Sequence, residues 1–371
     1  MQISKFSVSI FLGAAMTWQL LGQAPAKPES DVLILTNGEK LVGHFEHATD
    51  TSLVFKSDTA GEVTVKWSAV QELQSSANFA VIPKGVTLRH EEDKAGIATG
   101  PIRANSRSVE IQAQQPKSMP TADLGNVVDQ ASFDRAFEHV SLLQGWKGGA
   151  TLGIALTEAT QKSTSIASAI NLTRTSPDVN WLATRSRTIF GFNQAYGKVS
   201  QPGSPDVKTS LYHAGLEQDK FLNPRLYGFL EGAIDHNFSQ GLKLQQVYGG
   251  GIGFVVFKEA NQELDVKASL DYINQRFDKP GLNKSLIGSV FGENYSRTFA
   301  HGILLTEAGA LTQPWNDTSA YSAVGNVALT LPVYHRLGLT LAALDNFLNN
   351  PPPGFKKNSF QFTAGITYSF Q

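Results

Sequence analysis

A few short stretches of this 371-residue chain hold residue types that could do chemistry. His44, Glu46 and His47 stand in "HFEH", where two imidazoles three residues apart would share a metal if they lay on a helix. The flanking residues alternate as a strand, which turns His44 and His47 to opposite faces, so no metal site is expected. "HEEDK", residues 90–94, lacks the second histidine of a zincin and reads as a solvated loop between turn signals. "GGGIGF", residues 249–254, has the glycines of a nucleotide loop but no helix after them. Tyr248, Ile252, Phe254 and Val256 continue along one face of a strand, so close backbone packing explains the glycines. No Gly-x-Ser-x-Gly elbow occurs. The expectation is a chain with no catalytic, cofactor-binding or metal-binding residues, one that is not an enzyme and carries no cofactor.

The informative charges lie inside alternating segments. Arg185 and Arg187 fall opposite Phe190 and Phe192; Glu217 and Asp219 fall opposite Tyr212 and Leu216. Glu231 and Asp235 fall opposite Leu230 and Ile234, and Lys267 and Asp271 opposite Leu270 and Tyr272. Such segregation suits a strand with lipid on one side and a lumen on the other, because an Arg or Lys turned to mid-membrane lipid costs about 2–4 kcal/mol. A soluble barrel also segregates charge, so alternation alone does not separate lumen from solvent. Arg185, Arg187, Glu217, Glu231, Asp235, Lys267 and Asp271 are of both signs, and are expected to pair across the lumen and narrow it. Parity fails between residues 286 and 299, where Phe291 shares a face with Glu293 and Arg297, so a bulge or a different strand boundary is expected there.

The elements that would position these charges are twelve segments near residues 146–156, 164–174, 181–194, 207–219, 225–238, 243–257, 263–276, 286–299, 303–313, 318–332, 335–345 and 359–370. Their number is even, and each is about long enough to cross a bilayer at a tilt. Alternate connections sort into short turns, "SPDVN" among them, and an opposite set holding the longest loops. In the last segment, "SFQFTAGITYSFQ", apolar or small residues recur at every second position. Phe360 and Phe362 stand at one end and Tyr368 and Phe370 at the other, as aromatic girdles would at two lipid–water interfaces. These four are the candidate girdle and assembly residues.

Upstream, residues 1–26 read as a secretory signal peptide: Lys5, an apolar stretch from Phe6 to Leu21, and Ala24-Pro25-Ala26. Residues 31–115 carry short strands and turn signals such as Asn37-Gly38, suiting a small curled β-domain. Residues 116–145 read as a linker holding either one short helix, capped at Ser132, or no helix. Residues 146–371 form the expected barrel. Thirty-one basic residues against 32 acidic ones, without long runs of one sign, leave no phosphate-binding footprint, so nucleic acid is not an expected partner. With no cysteine there are no disulfides.

"GWKGGATLGIALTEATQKSTSIASAINLTR" and the closing "NNPPPGFKKNSFQFTAGITYSF" resemble the salt-induced outer-membrane protein family, known chiefly as a domain of unknown function, over about residues 146–370. That family commonly has Gly-Asn in its first outer turn where this chain has Glu158-Ala159-Thr160-Gln161, and this chain adds Gln371 after the terminal Phe. The resemblance implies a barrel and a location, the outer membrane of a Gram-negative-type bacterium, and no catalytic residues. The fold expected is all-β, a transmembrane antiparallel barrel of about twelve strands preceded by a small periplasmic barrel-like domain. The expected partners are outer-membrane lipid, the barrel-assembly machinery and a periplasmic partner of the small domain. The expected role is a narrow pore or a structural, envelope-stress component. Two rivals remain: a barrel enzyme acting on lipids, which needs a Ser-His-Asn or Asp group on one outward face, and a secreted soluble β-protein that binds a ligand.

Overall fold

The computed structural model describes residues 30–370 apart from 87, 89–90, 113–115, 138–140, 142–143, 159–161, 180 and 200–206. The signal-peptide reading and most of the first outer turn lie outside the described residues. The chain divides into two units, Met1–Thr87 with Asp93–Gln130, and Leu88–Glu92 with Ala131–Gln371.

The first unit is a nine-stranded sheet: β1 (Asp31–Leu35), β2 (Lys40–Thr49), β3 (Ser52–Ser57), β4 (Gly61–Lys66), β5 (Val70–Pro83), β6 (Ala98–Ala104), β7 (Ser108–Ile111), β8 (Lys117–Pro120) and β9 (Leu124–Asp129). β9 pairs with both β2 and β5, which closes the ring β2-β1-β5-β9. The alternating apolar positions turn into that ring, burying Leu33, Phe45, Phe55, Trp67, Leu73, Phe79 and Val127. The Asn37-Gly38 turn forms as its residues require, with Gly38 at φ +87° and Asn37 Oδ1 accepting from Glu39 N at 3.0 Å. The segment read as a linker from residue 116 instead supplies β8 and β9. Leu124, Val127 and Val128 are buried there, so three apolar residues anchor the strand that closes the sheet. The short helix α1 (Gln130–Arg135) begins two residues before Ser132, which is therefore inside it and not its cap.

The second unit is a closed antiparallel barrel. Its strands are β10 (Trp146–Glu158), β11 (Lys162–Ser176), β12 (Ser186–Val199), β13 (Val207–Phe221), β14 (Leu226–Asn237), β15 (Leu242–Glu259), β16 (Gln262–Phe277), β17 (Lys284–Thr298), β18 (Leu304–Pro314), β19 (Ser322–Tyr334), β20 (Leu337–Leu348) and β21 (Asn358–Phe370). β10 pairs with β21 from Gly148↔Phe370 to Glu158↔Phe360, which seals the ring. The rim where β10 starts and β21 ends is called the terminal rim below, and the opposite one the loop rim.

The third strand starts at Ser186 instead of 181. The Trp181 ring lies outside the strands and stacks on Phe133 at 6.0 Å, which removes an apolar residue from the wall. The bulge expected in β17 is absent, since its pairing with β16 and β18 runs without a register shift. Parity holds, so Glu293 and Arg297 face outward with Phe291; Arg297 lies over the Phe299 ring near the strand end.

What alternation left open, the closed ring decides. Leu152, Ile154, Ile166, Leu230, Ile252, Leu270 and Ile366 are 59–71% exposed on the outer wall, while Arg187, Asp219, Asp265 and Asp271 are buried inside. A barrel solvated by water would have the reverse polarity. No helix among the described residues is long and apolar enough to cross a membrane, so any crossing is made by strands. Phe360, Phe362, Tyr368 and Phe370 all lie on this outer face. Their span, ten residues at ~3.4 Å each and tilted ~45°, is about 24 Å, close to the apolar band of membrane barrels. The Tyr368 and Phe370 rings meet edge-on at 5.4 Å beside the β10–β21 seam. Tyr368→Ala with Phe370→Ala is expected to lower the amount of assembled barrel severalfold, read as loss of the compact, heat-modifiable gel band; unchanged levels would remove these rings from assembly.

Candidate functional site

The charged side chains sit in layers, set by where each inward position falls along its strand. Nearest the terminal rim, Arg187 on β12 donates from Nε to Asp219 Oδ2 on β13 at 2.6 Å. Its fork reaches β16 as well, at 3.2 and 3.3 Å to the two oxygens of Asp265 and 3.3 Å to Glu263. One guanidinium thus joins strands four places apart in a ring of twelve, a task its rigid planar fork suits. Phe221, Tyr227 and Phe229 pack beside it, with the guanidinium 5.0 Å from the Tyr227 ring centre. Arg185, by contrast, lies one residue outside β12 and donates to the Ala136 carbonyl at 3.0 Å. The arginine that bonds across the lumen is Arg187.

One layer further in, the Lys267 ammonium bonds Glu217 and lies 3.4 Å from Glu231, which also accepts from Ser269 at 3.3 Å. Above that, Asp235 holds His213 Nδ1 at 2.7 Å and accepts from Gln245 at 3.0 Å; Gln245 in turn accepts from Gln275 at 2.8 Å. Asp271 occupies the space left by Gly249, where any Cβ would strike its carboxylate, and the Tyr227 ring likewise lies over Gly253. The "GGGIGF" glycines therefore make room for lumen side chains. Gly253→Val is expected to cost about 1–3 kcal/mol by overpacking against Tyr227. Adding Tyr227→Ala should restore part of it, measured as the midpoint of urea unfolding in micelles; equal midpoints for the two variants would refute the steric argument.

Among the described residues, seven inward carboxylates (Glu217, Asp219, Glu231, Asp235, Glu263, Asp265, Asp271) thus face three permanent cations, Arg187, Lys267 and Lys258, the last 3.0 Å from Glu263. Glu217 Oε1, Asp219 Oδ1 and Asp271 Oδ1 are buried and have no hydrogen-bond partner among the described residues. The other wall carries no charged group in the lining: Val290, Ala310, Val324 and Leu344 alternate there with Thr312, Asn326 and Asn346, and between the walls lies a cavity of about 360 Å³. At the loop rim the β14–β15 turn crosses the mouth: Gln240 Nε2 donates to the carbonyls of Asn346, at 2.9 Å, and Lys357, at 2.8 Å, on the far side of the ring. The Phe355 ring lies against Gly241, whose φ of +68° suits glycine.

Sequence reading did not single out Glu263 and Asp265, although they lie four and two residues before Lys267 on the same face. His213 has the parity of Glu217 and was open to the same argument. Gln240 gave no sequence signal, because its partners are carbonyls more than 100 residues away. His44, Glu46 and His47 lie in β2, where the ladder shifts register between Phe45 and His47. No group of His, Asp or Glu among the described residues is arranged to hold a metal ion.

Residues 150–370 match the family described as "Protein of unknown function, DUF481". The chain belongs to this family. No curated protein matches it. Among solved structures, the NanC porin is 7% identical, with 60% of this chain and all of that one covered, at a TM-score of 0.39. Outer membrane phospholipase A from Escherichia coli is 12% identical, covering 64% and 96%, at 0.37. An outer membrane channel from Pseudomonas putida F1 is 12% identical, covering 62% and 100%, also at 0.37. Porins, a channel and an enzyme thus stand at similar distance, and function has to be argued from this chain's own side chains.

Proposed function

We propose that this DUF481 chain is an integral outer-membrane barrel with a narrow, cation-preferring lumen, and that the lumen performs no catalysis. The observation that carries this reading is the Arg187 fork, which ties β12, β13 and β16 together across the terminal end of the lumen. Barrels that leave a wide aqueous channel have 16–18 strands, whereas twelve bring opposite walls close enough for one long side chain to bridge part of the way. The excess of carboxylates over cations gives the lumen a negative potential that low-dielectric walls focus. Small cations match a cavity with one acidic wall and one uncharged wall.

In this proposal the nine-stranded unit lies in the periplasm and meets an envelope partner there. A structural role in envelope stress rests on the sequence resemblance alone. The test is reconstitution in planar bilayers under a KCl gradient. Small conductance with a reversal potential on the cation side is expected. Porin-sized conductance, or anion preference, would overturn the reading. Gln240→Ala, which frees the turn crossing the loop rim, is expected to raise the open probability without changing the sign of the selectivity; a change of sign would place the selective charges at that rim.

A further inference from the structure

The outer wall carries a second constellation that the lumen does not use. β13 turns its even-numbered side chains outward, as the 53% exposure of Leu216 attests, so Ser210 faces out near the loop rim. On β14 the even positions also face out, and Tyr212 pairs with His236 in the ladder. There Ser210 Oγ lies 2.7 Å from His236 Nε2, and His236 Nδ1 lies 2.7 Å from the main-chain carbonyl oxygen of Lys243. A carbonyl only accepts, so the ring proton sits on Nδ1 and Nε2 is left with its lone pair. The serine hydroxyl must therefore donate to Nε2. That is the polarity of a nucleophile beside its general base, with the base oriented by a third group. The Tyr212 ring stacks on the imidazole at 5.0 Å and 17°, which fixes the ring plane. The ladder sets Ser210 opposite Tyr196, another outward aromatic.

We propose that Ser210 and His236 form a catalytic pair for acyl transfer, and that its substrate is a carboxylic ester of a lipid in the leaflet at the loop rim. The inference rests on the outer wall facing lipid, as in the reading above. Outward tyrosines mark the interface between head groups and chains, and that is the depth at which the ester bonds of a glycerolipid lie. In the first half-reaction Ser210 Oγ bonds to the ester carbonyl carbon, and the hydroxyl proton passes to His236 Nε2. The carbon–alkoxy bond then breaks and that proton leaves on the alcohol. In the second, interfacial water gives a proton to His236 as its oxygen attacks the acyl-serine. The fatty acid departs and the proton returns to Ser210. No co-reactant other than water is needed. Sequence alone offered no signal, because the two residues lie 26 positions apart and meet only through the β13–β14 register.

The test uses the full chain in vesicles of phosphatidylethanolamine and phosphatidylglycerol, with the heat-modifiable band reporting the folded barrel. A fluorophosphonate probe is expected to label Ser210, located by peptide mass spectrometry, and free fatty acid is expected to accumulate. Ser210→Ala should abolish both, and His236→Gln should slow both at least ~100-fold, the usual worth of a general base, with the folded band unchanged. A folded wild type that takes no label and releases no fatty acid would reduce the pair to a structural hydrogen bond. Label or release unchanged in Ser210→Ala would overturn the assignment as well. Loss of the folded band in the wild type would instead strike at the membrane-barrel reading itself.

Discussion

Arg187→Ala is expected to destabilise the barrel by about 3–5 kcal/mol, because it leaves Asp219 and Asp265 facing one another without the cation that joins them. Both carboxylates are buried, and Glu263 is held by the same guanidinium. The same change should raise the single-channel conductance, since the fork and its stem leave the space that they fill near the terminal rim. The two effects separate. Asp219→Asn and Asp265→Asn added to Arg187→Ala should recover much of the stability, read as the urea midpoint of the heat-modifiable band, while conductance stays high. If the triple variant stays as unstable as the single one, charge is not what the arginine contributes. If conductance is unchanged in every variant, Arg187 does not close the lumen. Arg185→Ala, which removes the contact with the Ala136 carbonyl and leaves the Arg187 fork in place, is the matched control and should leave conductance at the wild-type level.

The barrel was legible because lipid and lumen impose a period of two on every strand, and a charge in the wrong phase is costly enough to keep that period clean. Arg187, Glu217, Glu231, Asp235, Lys267 and Asp271 could be placed by parity alone. Which of them touch could not, since contact depends on shear between strands, and only the ladder puts Arg187 opposite Asp219. Parity also misled where the rule has an exception. Glu293 and Arg297 suggested a bulge, yet β17 simply carries them on the outer face, Arg297 close enough to the strand end to reach the interface. β8 and β9 were missed because strands of four and six residues offer too few alternations to read: β8 buries no side chain, and β9, held between β2 and β5, buries the adjacent Val127 and Val128 instead of every second residue. Ser210 and His236 escaped for another reason. Sequence motifs for serine nucleophiles are built on tight turns, whereas this pair is assembled by two neighbouring strands.

The polarity of the wall also yields a result that separates a membrane barrel from a secreted one. Leu230 lies on β14, 71% exposed, opposite Gln218 on one neighbour and Gly250 on the other, well inside the strand on the outer wall. In water, Leu230→Arg would be a surface change worth at most about 0.5 kcal/mol, with a gain in solubility. In lipid the guanidinium must either sit in hydrocarbon or drag water and head groups toward it, at about 2–4 kcal/mol near mid-membrane. Leu230→Arg is therefore expected to lower the folded fraction in phospholipid vesicles sharply. Phe360→Arg, the same charge placed at the loop-side girdle, should cost about 0–1 kcal/mol because the side chain can snorkel to the interface. The comparison is made by urea titration of both variants in the same vesicles. A depth dependence of this kind has no counterpart in a water-solvated barrel. Equal, small effects at both positions would mean that water covers the outer wall, and the reading of its apolar belt as a membrane surface would fall with it.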